Sequence, residues 1–360
     1  SSFPIVDSIT KTLLETFESM MSLELTQVDA VTDPGLNDER IVGDVKFAGE
    51  VTGMLSIHVS REFSRVIAGA MLGMEPEEVT DEDEIKDVIG EVCNIVSGNL
   101  KTGFVNADLA CVISTPSITK GREFTIEPLD IAPPQSLVFR HDPHDIFIEW
   151  AVKEDTSAKE EISAAAVLTP EEIRAKISRV DVNAAIVNSV IDVYYTMLSM
   201  EVERLLEPPE KASEHKRIVG SVSFVGDVDG VFNLHLSHDF SRVMTAAMLG
   251  IEADEIESDD EIYDVIKEVS NIVGGNLKST FGDVGLSCVL STPSITYGTD
   301  FTVEPLNSIT ANRFYFRYQN HIIRIEAGVK KEKAPEEQPA EDPQDMVSRM
   351  FAEAVQANAV

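Results

Sequence analysis

Positive charge is scarce in this sequence. Its 360 residues include 29 Lys and Arg against 63 Asp and Glu, which gives a formal net charge of −34. Such a surface repels nucleic-acid backbones and anionic lipid headgroups, so we expect neither nucleic acid nor a membrane as a partner. No stretch approaches the roughly 20 apolar residues of a membrane span. Residues 1–25 also lack the basic start and apolar core of a signal peptide.

Cysteine is nearly absent. Cys93, Cys111 and Cys288 are isolated, which excludes a disulfide framework. The sequence has no Cys-x-x-Cys or His-x-x-x-His pair to suggest a metal site. These absences favour a reducing compartment, and we expect a cytoplasmic protein that binds no metal or cofactor of its own.

An internal duplication is the strongest feature of the sequence. Several segments recur 177 residues later; Arg217, for example, corresponds to Arg40. The alignment of the two copies needs no gap between residues 40 and 153. The first helical segment repeats at an offset of 181, as Ile186 stands to Ile5. A period this long indicates two whole domains and not a solenoid. The matched segments are Arg-Ile-Val-Gly (40, 217), Phe-Ser-Arg (63, 240), Met-Leu-Gly (71, 248), Ser-Thr-Pro-Ser-Ile-Thr (114, 291), Phe-Arg (139, 316) and Val-Lys (152, 329).

The repeat sets the expected domain boundaries. We predict a first domain at residues 1–153, a linker at 154–181, a second domain at 182–330 and an acidic, proline-containing tail at 331–360. The linker is rich in Ala, Glu and Lys, which predicts a partly helical segment. The tail has the composition of a disordered segment. Its last part fits a short docking helix or a frayed end equally well, because apolar residues stand there at helical spacing: Met346, Met350, Phe351 and Ala354.

Each copy has the pattern of an α+β domain, with helices packed on a largely antiparallel sheet. Alternating residues and nearby glycines predict a β-hairpin at residues 40–59, and Gly73 is expected to end the second helix. The second copy follows by offset. In the first copy we predict helices at 4–23, 61–72 and 83–104, and strands at 40–47, 51–59, 109–113, 123–128, 137–141 and 146–152.

The third predicted helix has two contrasting faces. One is an apolar stripe that should face the core, formed by Ile85, Val88, Ile89, Val92, Ile95 and Val96. Opposite it, residues at i, i+4, i+7 and i+11 stack on an exposed ridge. We call Asp87, Glu91, Asn94 and Gly98 the first ridge, and Asp264, Glu268, Asn271 and Gly275 the second ridge.

The two copies differ elsewhere on this helix. At positions that we place outside the core, Lys86 stands against Tyr263, Gly90 against Lys267 and Cys93 against Ser270. The copies therefore diverged along the helix but kept the ridge. Its glycine is not there for stability, since Gly inside a helix costs about 1 kcal/mol relative to Ala. Because glycine has no side chain, it instead lets a partner approach the helix backbone closely.

Glu and Asn at i and i+3 suggest a specific chemistry. A carboxamide can accept a hydrogen bond from a water and donate one to a phosphoryl oxygen. Aligning a water for in-line attack on phosphorus requires this, and phosphoryl transfer depends mainly on positioning and charge stabilisation. The carboxylate can pair with a lysine of the partner and fix its register.

The complete motif resembles a known family. Asp87-x3-Glu91-x2-Asn94, with Pro116 placed 22 residues after the Asn, resembles the signature of the CheC, CheX and FliY phosphatases. One motif per domain resembles the CheX type, and the resemblance covers nearly all of each domain. The second copy repeats the spacing and both copies have the family's Gly-Asn pair, in the residues Asp264, Glu268, Asn271, Pro293, Gly98-Asn99 and Gly275-Asn276.

This resemblance implies dephosphorylation of a phospho-aspartyl response regulator such as CheY. It implies that Asn94 and Asn271 orient the hydrolytic water, and that Glu91 and Glu268 bind the regulator's phosphate-contacting lysine. Mg²⁺ would be held by the regulator, so this chain need bind none. CheX-type domains usually pair into dimers; here the fused copies can pair within the chain, or the chain can form a homodimer.

Two other readings stay open. A metal-dependent hydrolase could use Asp83, Asp87 and Glu91 as ligands, although one helix supplies few converging ligands and no His stands beside them. His58 and His235 correspond across the repeat, but we expect both to be ordinary strand residues. A non-catalytic scaffold that binds a response regulator, like the related flagellar switch component FliM, is the other reading.

Overall fold

A computed structural model describes residues 3–29, 39–128, 131–155, 168–209, 216–306 and 309–330. The predicted tail at 331–360 lies outside the described residues, as do residues 156–167 of the linker. The first copy contains α1 (Ile5–Met21), β1 (Thr26–Val28), β2 (Arg40–Gly49), β3 (Val51–Ser60), α2 (Arg61–Leu72), α3 (Glu82–Asn106), β4 (Cys111–Ile113), β5 (Ser117–Pro128), β6 (Gln135–His141) and β7 (His144–Glu154).

The second copy repeats this order. Before it, α4 (Pro170–Ile177) forms within the predicted linker, with a capping box at Thr169. The second copy contains α5 (Val182–Leu198), β8 (Glu203–Leu205), β9 (Arg217–Gly226), β10 (Gly230–Ser237), α6 (His238–Leu249), a 3₁₀ turn (Ala253–Glu255), α7 (Asp259–Asp283), β11 (Cys288–Leu290), β12 (Ser294–Pro305), β13 (Ile309–Tyr318) and β14 (His321–Lys330).

One sheet runs through both copies. Within the described residues it has 14 strands, in the order β1-β6-β7-β3-β2-β5-β12-β9-β10-β14-β13-β8, with β4 paired to β2 and β11 to β9. The copies meet where β5 and β12 pair antiparallel. Ser117 lies opposite Pro305, and its counterpart at the repeat offset, Ser294, lies opposite Pro128, the counterpart of Pro305. The junction therefore relates the copies by a pseudo-twofold axis, and both belong to one compact unit, Ser1–Lys330. The predicted α+β class with a largely antiparallel sheet is confirmed.

The helices of each copy cover one face of the sheet. In the first copy, apolar residues of α1 and of the α3 stripe share a core with β2 and β3. The stripe is buried as predicted except at Ile95, which is half-buried. Gly43 in β2 lets α3 come close, because a Cβ there would lie 2.4 Å from Cys93 Sγ. None of the described helices is both long and apolar enough to cross a membrane.

The opposite face of the sheet is buried between the copies. An apolar cluster there draws residues from both: Val42, Met54, Phe124, Ile126, Val219, Phe301 and Val303. Polar groups are buried on this face as well. The Lys46 ammonium, 2% exposed, donates to the Ser221 carbonyl of the second copy at 2.9 Å. His58 lies in β3, the strand position predicted for it, and its Nε2 is 3.0 Å from Glu149 Oε2.

Two expectations from the sequence were wrong, and two short strands were missed. The strand predicted at 123–128 begins at Ser117, because residues 117–121 pair with β2 on one side and with β12 of the other copy on the other. The short strands β1 and β8 were not predicted. The differing helix positions are not outside the core: Lys86, Gly90 and Cys93 are buried, and so are Tyr263 and Ser270. Lys86 and Tyr263 have different partners, Glu304 and Tyr297, whereas Cys93 and Ser270 pack over equivalent glycines, Gly43 and Gly220.

Candidate functional site

The long helix α3 is a rigid platform for the first ridge. Asp81 caps its N-terminus by accepting a hydrogen bond from the Asp83 amide at 2.8 Å. Three acidic residues in the first turn favour the helix further through the macrodipole. The buried stripe then fixes the rotation of the helix. The side opposite the core is therefore presented to solvent along its whole length.

Both ridges are accessible. Asp87 and Glu91 are exposed, whereas Asn94 and Gly98 are partly exposed. The second ridge has the same pattern at each of its four positions. A Cβ added at Gly98 or at Gly275 would meet nothing within 4 Å. A partner can therefore approach this part of the backbone closely in either copy.

The Glu–Asn pairs have no partners within the described part of the chain. Neither the Asn94 nor the Asn271 carboxamide makes a hydrogen bond there, and neither Glu91 nor Glu268 makes an ion pair. Asp264, in contrast, lies 3.5 Å from the ammonium of Lys267. The amide donors and acceptors of both Asn side chains are thus free for an external group.

The Gly-Asn pair adjoins a groove in the first copy. Asn99 bonds its own helix, from Nδ2 to the Ile95 carbonyl at 3.1 Å. Between Asn99 and α1 lies a groove of about 400 Å³ with a mostly polar lining. In the second copy the Asn276 amide instead donates to Ser189 Oγ on α5 at 3.0 Å. The same residue type therefore has a different role beside each ridge.

The signature prolines do not lie on the ridges. Pro116 and Pro293 are buried and directly precede β5 and β12, the strands that join the copies. The Pro116 carbonyl accepts a hydrogen bond from the Leu306 amide of the second copy at 3.4 Å. In this structure the proline therefore belongs to the interface between the copies.

Sequence reasoning missed the residues that connect this interface to α3. Lys86 Nζ lies 2.8 Å from Glu304 Oε2 of the second copy and 2.6 Å from Asp83 Oδ1. Burial alone would lower the pKa of Lys86, but hydrogen bonds to both carboxylates outweigh it and raise that pKa above its ordinary value. Gly90 provides the space that Leu306 occupies. A second glycine inside the helix was a signal for this contact, since it weakens the helix without serving the ridge.

Other chemistries find little support in the described ranges. No cluster of three or more His, Cys, Asp or Glu there could hold a metal ion. Asp83, a proposed ligand of the metal-hydrolase reading, is bound by Lys86, and that contact lowers its pKa. The cysteines are buried, and burial raises the pKa of the Cys111 thiol to about 11, so a thiolate nucleophile is disfavoured.

Comparison with known proteins gives one consistent family. A family model described as chemotaxis phosphatase CheX matches residues 41–139 and 218–317, more than half of the chain. The search of curated proteins found no match to this chain.

Several solved structures are similar to one copy. Chemotaxis protein CheX from Vibrio vulnificus is 23% identical over 42% of this chain and 97% of that chain, with a TM-score of 0.37. A CheC-like protein from Shewanella is 23% identical over 42% and 99%, with a TM-score of 0.36. In a CheX–CheY–BeF3–Mg complex from Borrelia burgdorferi, the similar chain is 17% identical over 42% and 100%, with a TM-score of 0.32.

Proposed function

The chain belongs to the CheX family of chemotaxis phosphatases, and on that premise we propose that each copy hydrolyses the aspartyl phosphate of a CheY-like response regulator. The chain has a formal net charge of −34, and each ridge carries an Asp and a Glu. A partner surface with a lysine next to the phosphoryl group would be complementary in charge to these ridges. Magnesium, in this proposal, is bound by the regulator and not by this chain.

Asn94 and Asn271 act in this proposal by positioning a water. The carboxamide oxygen accepts from the water, and the amide nitrogen donates to a phosphoryl oxygen. The water oxygen attacks phosphorus in line, the bond from phosphorus to the aspartyl oxygen breaks, and the carboxylate leaves with the electron pair. Both water protons remain with the phosphate product until it equilibrates with solvent. No strong base on this chain is needed, because positioning supplies most of the effect.

Glu91 and Glu268 serve as docking groups in the same proposal. A carboxylate one helical turn before the Asn can pair with the regulator's phosphate-contacting lysine. That pairing fixes the register of the regulator along the helix. Asp87 and Asp264 add negative charge to the same docking face, and the low Gly98 and Gly275 allow close approach of the partner backbone.

One observation carries this proposal. The exposed Glu–Asn pair is present in both copies with no partner in the described chain, while buried neighbours on the same helix have changed. A contribution to stability does not explain why both copies kept a Glu–Asn pair that has no partner within the described chain. A shared external ligand does.

The test is phosphate release from a phosphorylated receiver domain mixed with the full chain. Wild type should accelerate release above the receiver's intrinsic rate. Asn94→Ala and Asn271→Ala should each retain the contribution of the other site, and the double variant should return to the intrinsic rate, a loss of up to about a hundred-fold if the effect is positional. Asn106→Ala is the matched control, an exposed Asn on α3 away from the ridge.

Two outcomes would count against the proposal. If the double variant releases phosphate as fast as wild type, the Asn residues are not the water-positioning groups. If wild type binds the receiver without changing its decay, the chain is a scaffold. Removing metal from the chain before mixing should have no effect, whereas the metal-hydrolase reading requires a loss of activity.

A further inference from the structure

Leu306 belongs to the second copy by sequence but to the first copy by packing. It follows β12, is 9% exposed, and is part of the buried cluster formed by α1, α3, β2 and β3. Its counterpart at the repeat offset, Leu129, lies outside the described residues. The second copy therefore contributes a core side chain to its neighbour.

Leu306 contacts both sequence segments of the first signature, one through its side chain and the other through its backbone amide. A Cβ on Gly90 would lie 2.5 Å from Leu306 Cδ1, so the glycine is the space that the leucine fills. The Leu306 amide donates to the Pro116 carbonyl. Gly90 directly precedes Glu91 and stands one turn before Asn94. Leu306 therefore packs against the turn of α3 from which the proposed site projects.

A second contact holds α3 one turn earlier. The Glu304 carboxylate accepts from the Lys86 ammonium at 2.8 Å, and the Lys86 side chain is only 11% exposed. Lys86 and Gly90 are four residues apart, so they lie on the same side of the helix. Glu304 and Leu306 are two residues apart on one segment, and each contacts one of them. Two adjacent contacts fix both the height and the rotation of this turn.

The second copy's helix is supported differently. Tyr263 stands at the Lys86 position and stacks on Tyr297 of its own copy, with ring centroids 5.1 Å apart. Tyr297 then donates to Glu127 of the first copy at 2.8 Å. Lys267 stands at the Gly90 position, so α7 offers no glycine gap for a neighbouring leucine.

From these contacts, and resting on the proposed phosphatase function, we propose that Leu306 and Glu304 are positioning residues of the first site only. They hold the α3 turn that carries Glu91 and Asn94, so the second copy sets the geometry of the first copy's site. The second site keeps its geometry through Tyr263 and Tyr297 instead.

The test measures each site alone. In the Asn271→Ala background only the first site works, and in the Asn94→Ala background only the second. Gly90→Ala inserts a methyl group against Leu306 and should slow the first site at least about ten-fold, because small displacements of a positioning group are costly. Gly90→Ala with Leu306→Val should recover most of that loss. Glu304→Gln, a partly exposed change that preserves shape, should lower the first-site rate two- to three-fold, about the size expected for one partly exposed ion pair.

The second site is the control for folding. All three variants should leave its rate within about two-fold of its own background, since its helix contacts other residues. An equal effect on both sites would overturn the proposal, and so would a Gly90→Ala variant with an unchanged first-site rate. Failure of the phosphatase proposal gives a different pattern, in which Asn94→Ala with Asn271→Ala keeps full activity.

Amide hydrogen exchange tests the same contacts without activity. Leu306→Ala should speed exchange in the α3 amides near Gly90 and leave those of α7 unchanged. Equal acceleration in both helices, or none in α3, would overturn the positioning role.

Discussion

The two copies can be compared position by position, from the solvent-facing ridge to the face buried between them. On the ridge all four residue types are the same. Beneath it the partners differ: Lys86 reaches Glu304, whereas Tyr263 stacks on Tyr297. On the face between the copies, Asp44 and Lys46 stand where the second copy has Ser221 and Ser223.

This comparison separates two kinds of constraint. Lys86 and Tyr263 changed together with their contacts, which preserves packing and leaves the pairing of the two copies asymmetric. The Glu–Asn pairs did not change, although neither has a partner within the described residues. The constraint on these interior positions is therefore the fit between neighbouring residues, and under the proposed function the constraint on the Glu–Asn pairs is an external ligand.

The largest effect is expected where the copies are alike. Gly43→Ala would place a Cβ 2.4 Å from Cys93 Sγ, and Gly220→Ala one 2.6 Å from Ile266 Cγ2. Each change should lower the free energy of unfolding by about 3 kcal/mol, because the close helix–strand contact cannot relax fully. Urea unfolding measures this. Gly43→Ala with Cys93→Ala should recover part of the loss, and a cost below about 0.5 kcal/mol would contradict the packing described here.

A smaller effect should appear where the copies differ. Burial raises the pKa of Asp44 to about 6, and the charge of Lys46 offsets only part of that rise. The pKa of the Asp44 carboxyl is therefore higher in the folded chain than in the unfolded chain. Its contribution to the stability of the fold is full below about pH 4 and is lost as pH rises through about 6. Asp44→Asn avoids this loss. It should be more stable than wild type by about 2 kcal/mol at pH 7.5 and equal to it at pH 4.

Ser221 provides the control for this pH dependence. Ser221→Ala alters the counterpart position without removing a titratable group, so its effect on unfolding should be the same at both pH values. An Asp44→Asn variant that is less stable than wild type at pH 7.5 would show that the ionised carboxylate is favoured by its surroundings.

The smallest stability change is expected on the ridge. Gly98→Ala and Gly275→Ala fill open space on a helix, so each should raise the free energy of unfolding by about 0.5–1 kcal/mol. Under the proposed function each should also weaken receiver binding, because a methyl group blocks close approach. Calorimetry and receiver titration measure the two effects. Greater stability with unchanged receiver binding would remove the glycine from the proposed docking face.

Much of the fold could be predicted from the sequence because the signals are local. The repeat offset, the β2–β3 hairpin and the apolar stripe of α3 depend on residue order alone. The start of β5 at Ser117 could not be predicted, since its pairing partners β2 and β12 are both far away in sequence. Lys86 was misplaced for the same reason, since Glu304 is a contact between the copies. Gly90 did signal a close contact, but not that its partner is Leu306 of the other copy.

The candidate site divides in the same way. Helical spacing was sufficient to group Asp87, Glu91, Asn94 and Gly98 on one exposed side. It did not indicate that Pro116 would be buried at the junction of the copies. The local motif defines which side chains are presented, whereas long-range pairing defines what holds them in place.

The most direct measurement uses an isosteric change at saturating chain concentration. Asn94→Asp with Asn271→Asp keeps the size of both side chains but removes the amide donors. With the chain in excess over a phosphorylated receiver, so that binding does not limit the rate, we expect the receiver to bind and to decay at its intrinsic rate. Decay at the wild-type rate in that variant would contradict a carboxamide that positions water on a partner's phosphorus.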